Sequence, residues 1–153
     1  MPAPVQDNLA VAFVKRYQHD AHLFVFEVFG RDGRDADHTI DPEQKVVLDW
    51  VSQGERRIAV RSGHGVGKTT VLAWLICWHL SVKFPQKVLA TAPTSAQLFD
   101  ALAAETKTWL RKLPPLLQSC FEIKTDSITL IAAPTESFVS FNTSRPETPE
   151  ALA

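Results

Sequence analysis

Apolar residues recur along this chain with two different periods, and the changes between them outline its elements. Leu9, Phe13 and Tyr17 fall at helical spacing and predict an opening helix. Asp20 suits the cap of a second short helix that carries Phe24 and Val28, with Gly30 just past its end. The polar stretch 31–38 (RDGRDADH) reads as a loop. A third helix opens at Asp41-Pro42-Glu43-Gln44. Asp41 fits the cap, Pro42 the first helical position, and Gln44 the place where a capping box takes Glu or Gln. Val47, Trp50 and Val51 give this helix an apolar face, and 52–55 (SQGE) ends it.

The short β-branched run 57–61 (RIAVR) predicts a strand. A glycine-rich loop follows at once, then an apolar helix from Thr69 to about Leu80. A second strand is expected at 87–91 (KVLAT), a turn at Ala92-Pro93-Thr94, and one helix over 95–112. Phe99, Leu102, Thr106 and Trp109 share one side of that helix, and Pro114-Pro115 stops it. Three later runs, 121–124, 128–132 and 138–141, read as strands, and the tail 143–153 is rich in Pro, Glu and Ala. Strand, loop, helix, strand, helix is the order of an α/β fold with a parallel sheet and flanking helices. The division expected is a helical segment over 1–40 and the α/β domain over 41–153.

The loop Gly63-His64-Gly65-Val66-Gly67-Lys68-Thr69 carries the sharpest chemistry. A phosphate cradle needs backbone N–H groups turned inward, which glycines permit, and a helix N-terminus behind them whose dipole favours anions. Gly63, Gly65 and Gly67 supply the permissive backbone, with His64 and Val66 between them. Lys68 supplies a cation for the β- and γ-phosphates, the Thr69 hydroxyl a ligand for Mg²⁺, and Thr70 continues the first helical turn. Ser62 stands where the strict pattern G-x-x-x-x-G-K-[ST] has its first glycine. The flanking strand and helix stand where the mechanism needs them. A triphosphate such as ATP with Mg²⁺ is the ligand this loop predicts.

Other residues have a structural reading beside a functional one. Gln44, on the helix before the loop, has an amide that can donate and accept together, which suits an adenine edge, and the capping box explains it equally. Thr94 and Gln97 form a second capping box, with a sensing role as the sharper alternative. Arg61 and His64 could approach phosphate oxygens or face water. Trp74, Trp78 and Trp109 sit at helical spacings and read as core or partner packing. Arg145-Pro146-Glu147 reads as a surface turn sooner than as an arginine reaching a neighbour's nucleotide. No apolar strand after Lys68 ends in Asp-Glu, so the acid that would hold Mg²⁺ and the acid that would orient water have no candidates there.

Composition narrows the class without changing this reading. The chain has 153 residues, 45% hydrophobic and 22% charged, which suits a globular protein with one core. A net charge of −1 gives no basic footprint for nucleic acid. The two cysteines, Cys77 and Cys120, form no CxxC or Cys/His cluster, which speaks against a zinc site or a disulfide scaffold. Cys77 falls in a helical apolar run and reads as core. No leader peptide or membrane-spanning run is read in the sequence, so a reducing, soluble compartment is expected.

Several segments together resemble the large terminase subunit of tailed bacteriophages and prophages. They are 22–30 (HLFVFEVFG), 41–51 (DPEQKVVLDWV), 61–70 (RSGHGVGKTT), 87–97 (KVLATAPTSAQ), Trp109 and 145–151 (RPETPEA). The resemblance implies a RecA-like P-loop NTPase fold, ATP and Mg²⁺ as cofactors, and Gln44 on the adenine side. It implies double-stranded DNA, a portal and a small terminase subunit as partners of an assembled oligomer, in the cytoplasm of a bacterial host. It also implies that the chain stops before the acid-bearing Walker B strand and before a nuclease domain, so that the fold is incomplete and hydrolysis by this chain alone is not expected. A fragment of another P-loop nucleic-acid translocase or helicase, a non-catalytic docking piece, and a decayed prophage product stay open beside it.

Overall fold

The computed structural model describes residues 5–63 and 67–144. The chain runs α1 (Val5–Tyr17), α2 (Ala21–Val28), a 3₁₀ turn (Ala36–His38), α3 (Pro42–Ser52) and α4 (Lys68–Val82). It continues with β1 (Lys87–Ala92), a π-helical segment (Ala96–Ala103), α5 (Ala104–Leu110), α6 (Pro115–Gln118), β2 (Phe121–Ile123), β3 (Ser127–Leu130) and β4 (Phe138–Thr143). The architecture is mixed α/β.

Local signals set the helix ends. Asp20 accepts the Leu23 N–H at 2.9 Å and starts α2, which ends before Gly30 in the left-handed region at φ 63°. Gln44 Oε1 accepts the Asp41 N–H at 2.9 Å, the reach-back half of a capping box, and Pro42 opens α3. Thr94 Oγ1 accepts the Gln97 N–H at 3.2 Å, so the expected cap after β1 is present.

Helix α4 is the axis of the core. Val71, Ala73, Trp74, Leu75, Ile76, Cys77, Trp78, Leu80 and Val82 are all buried along it, the pattern of a helix enclosed on most sides. Helices α1, α2, α3 and α5 pack around it. Trp74, Trp78 and Trp109 are buried core side chains, as the helical spacing predicts. Trp78 Nε1 donates to the Tyr17 carbonyl at 2.7 Å and ties α4 to the end of α1. Cys77 is fully buried, and burial pushes its thiol pKa well up, so it is an apolar packing group.

The four-stranded sheet has the order β1-β4-β3-β2. Ala90 pairs with Phe141 and Ile128 with Val139, and all four are buried. The π-helical segment packs on β1 and β4, and α4 packs on β4.

Three expectations are corrected. The sheet is mixed and not parallel: β1 and β4 are parallel, while β4-β3 and β3-β2 are antiparallel. Short turns join β2 to β3 and β3 to β4, and a short turn can only return a strand antiparallel. Second, 57–61 forms no strand, and Arg57, Ala59, Val60 and Arg61 are exposed. A strand needs a ladder partner, and β1, the nearest candidate, pairs only with β4 among the described residues. Ile58 and Val60 line a cleft with Val47, Val51, Leu72 and Leu75, whereas β1 lines a second cleft with those same two leucines. Third, 95–112 is not one regular α-helix. Its first half is π-helical, so burial falls on Leu98 and Ala103, five apart, where a regular α-helix would have favoured Phe99 and Leu102.

Among the described residues no helix is long and apolar enough to cross a membrane. The expected turn at 145–147 and most of the tail fall outside the described residues.

Candidate phosphate-binding site

The chain enters the site at Ser62 and Gly63, which are exposed, and leaves it at Gly67, which caps α4. His64, Gly65 and Val66 lie outside the described residues. Gly67 adopts φ 72° and ψ 24°, a left-handed conformation that an L side chain resists. Its carbonyl accepts the first helical bond of α4, from the Val71 N–H at 3.0 Å. The amides of Lys68, Thr69 and Thr70 precede that bond, and a helix cannot satisfy those groups from within. The same end carries the positive pole of the macrodipole.

Lys68 reaches back toward the chain before the loop, and its Nζ donates to the Ser62 carbonyl at 2.8 Å. One cation therefore bridges the entry and the exit of the loop. Thr69 is half-buried in the first turn of α4. The Thr70 hydroxyl turns the other way and donates to Glu105 Oε1 at 3.0 Å. What Thr70 offers a phosphate is its backbone N–H.

Gln44 reaches the loop from α3. Its Nε2 donates to the Gly67 carbonyl at 3.2 Å, while its Oε1 is held by the Asp41 N–H. Both ends of the amide are engaged within the protein, and the residue is 6% exposed. As built, Gln44 braces the loop, and contact with an adenine edge would require its Nε2 to leave Gly67. A Cβ on Gly67 would crowd Gln44 Nε2, so a larger residue here would displace the Gln44 side chain as well as strain φ. At Gly63 a Cβ would meet nothing within 4 Å.

A cavity of about 240 Å³ opens beside these groups, with Gln44, Ser62, Gly67 and Lys68 in its wall. Arg61 and Glu43 are in the wall too, one cation and one acid at the mouth. Among the described residues no group of three or more His, Cys, Asp or Glu side chains gathers to hold a metal.

Glu105 is a site neighbour that reading the sequence did not single out. It lies 35 residues from Thr70, and no local pattern couples the two. The available signal was its four-residue spacing to Trp109, whose Nε1 donates to the same Oε1 at 3.0 Å.

The donors and the cation suit a polyphosphate. A left-handed glycine opens a helix N-terminus, a lysine ammonium is bonded to the Ser62 carbonyl, and a hydroxyl follows one residue later. Comparison of the chain with protein-family models, with curated proteins and with solved structures finds no match.

Proposed function

We propose that the chain binds a nucleoside triphosphate with Mg²⁺ at the α4 N-terminus, as the ATP-binding part of a P-loop NTPase of the terminase large-subunit type. The observation that carries this reading is the Lys68 ammonium bonded across the loop to the Ser62 carbonyl at 2.8 Å. That bond holds a single cation at the open end of the helix dipole, where a phosphate oxygen can replace the carbonyl as its partner.

Each group has a distinct task. Gly67 lets the backbone turn into α4 without a side chain in the way. The amides at the start of α4 receive phosphate oxygens. Lys68 would neutralise the β- and γ-phosphates, and the Thr69 hydroxyl would ligate Mg²⁺. The metal, when bound, supplies charge neutralisation between the phosphates. Gln44 keeps the loop closed by holding the Gly67 carbonyl. In an assembled packaging motor, the partners would be double-stranded DNA, a portal and a small terminase subunit. Hydrolysis needs an acid to hold the metal and an acid to orient water, and Glu43 is the acid in the wall of this cavity. The chain is therefore read as binding nucleotide better than it hydrolyses it.

Calorimetric titration of the full chain with ATP and Mg²⁺, beside Lys68→Ala, tests the reading. Binding that the substitution abolishes supports it. A folded wild-type chain that takes up no nucleotide would overturn it. Steady phosphate release would instead identify a catalytic acid within this chain.

A second reading has one observation in its favour. Among the described residues β1 pairs only with β4, and Leu89 on it is 57% exposed, which suits a docking piece that adds its edge to a partner. Retention of a partner by Lys68→Ala would favour that reading over a nucleotide-driven one.

A further inference from the structure

Glu105 sits at the junction of α4 and α5, two helices that pack on each other. It lies in the first turn of α5, and its Oε1 accepts two hydrogen bonds, from the Thr70 hydroxyl at 3.0 Å and from Trp109 Nε1 at 3.0 Å. Thr70 is the third residue of α4, one position after the hydroxyl expected at the metal. Trp109 is 4% exposed and packs edge-on against Trp74, with ring centroids 5.5 Å apart. On its other side the Arg31 guanidinium lies 4.5 Å from the ring centroid. One carboxylate oxygen thus joins the phosphate-binding turn to a buried aromatic cluster.

Resting on the triphosphate reading above, we propose that Glu105 is a positioning residue that fixes the first turn of α4 through Thr70 and couples phosphate occupancy to Trp109. The coupling has two physical sources. A carboxylate beside a helix N-terminus is favoured by the helix dipole, and an arriving triphosphate draws on the same dipole. The two anions repel, and the repulsion is strong where water is scarce. The bond from Thr70 and the bond from Trp109 also share one acceptor atom, so a shift of the carboxylate toward or away from Thr70 changes both. An indole whose N–H partner moves changes its emission, which makes Trp109 a reporter of the phosphate loop without touching the ligand.

The test is tryptophan emission of the full chain during titration with ATP and Mg²⁺, with affinity measured calorimetrically on the same samples. The variants are Trp109→Phe, Thr70→Val, Glu105→Gln and Glu105→Ala. Wild type is expected to show an emission change on binding that Trp109→Phe lacks while still binding. Thr70→Val removes the donor at constant shape. It is expected to bind about three- to tenfold more weakly, the scale of one hydrogen bond, and to lose most of the emission change. Glu105→Gln keeps an acceptor oxygen but removes the charge and should show a reduced emission change, whereas Glu105→Ala should show none. A purely structural Glu105 would not separate affinity from the Trp109 signal in this way. If Glu105→Ala fails to fold, Thr70→Val decides alone. An undiminished emission change in Thr70→Val overturns the coupling. So does wild-type binding with no emission change, which leaves the triphosphate reading standing. A folded wild type that binds no nucleotide overturns both.

Discussion

Gln44 Nε2 donates to the carbonyl oxygen of Gly67 at 3.2 Å, across 23 residues of chain, so the helix before the glycine-rich loop holds the residue that ends it. A Cβ on Gly67 would crowd that Nε2. The crowded atom is the tip of a flexible side chain, so in Gly67→Ala it is Gln44 that yields and loses its bond. The left-handed φ of 72° adds about 1–2 kcal/mol of strain. Gly67→Ala is expected to lower stability by about 2–3 kcal/mol and to abolish nucleotide binding. The double variant with Gln44→Ala should be less destabilised than the two single effects summed, because Gly67→Ala already breaks the bond that Gln44→Ala removes. Denaturant unfolding of the four proteins in the cycle measures this, and strict additivity would count against the brace.

Trp78 offers a test of the helical frame independent of any ligand. Its indole N–H donates to the Tyr17 carbonyl at 2.7 Å within the core, and that carbonyl also accepts the Asp20 N–H at 3.2 Å. Trp78→Phe removes one of the two donors and part of a buried ring. The loss expected is about 2 kcal/mol, from the hydrogen bond and the unfilled space together. Amide exchange in α1 should quicken more than exchange in β3 and β4. Uniform acceleration would mean that the bond does not set the docking of α1.

Where structure follows from neighbours in sequence, the sequence was legible. Asp20, Gly30, Asp41, Pro42 and Thr94 mark helix ends by their own chemistry, and each stands where it was read. The apolar run from Thr69 to about Leu80 predicts a helix, and α4 is there with most of its side chains buried. The run 57–61 was misread because β-branched composition is necessary for a strand and does not supply a ladder partner. The order of the first strands and helices points to a parallel sheet, whereas the short connections from β2 to β3 and from β3 to β4 return each strand antiparallel. At the site, Lys68 and Gly67 were legible as a motif. The capping half of Gln44's role was legible too, through its spacing from Asp41. Its bond to Gly67 and the bond from Thr70 to Glu105 are tertiary, and nothing local encodes them.

Among the described residues β1 pairs only with β4, and this edge predicts association in solution. Leu89 is 57% exposed on an edge strand, and Leu72 on α4 is 49% exposed beside the same cleft. An unpaired edge flanked by apolar side chains is a template for another chain. Sedimentation velocity is expected to show association that grows with protein concentration. Leu89→Lys should shift the chain toward monomer with little effect on its unfolding, since the side chain gives up no core contact. A wild-type chain that stays monomeric across the concentration range would show that the edge is protected in some other way.

The last prediction concerns acid. His79 lies in α4, and its Nδ1 is 2.8 Å from the Leu75 carbonyl, an arrangement in which the neutral ring donates to that oxygen. Burial is the main cause that holds its pKa below the ordinary histidine value, with Lys83 nearby acting in the same direction. In the unfolded chain the ring takes up a proton near the ordinary pH of about 6.5. In the folded chain it resists protonation until the pH is lower. Between those two values the unfolded state binds more protons, so stability falls as the pH falls through that window and is unaffected by this group above it. His79→Gln removes the titration and keeps an amide donor within reach of Leu75. Urea midpoints between about pH 7 and pH 5 should therefore drop less steeply for the variant than for wild type, although the variant starts lower at pH 7. Other histidines and carboxylates titrate in both proteins alike, so the difference between the two slopes isolates His79. Equal slopes would mean that the ring is solvated enough in the native state to carry its proton there.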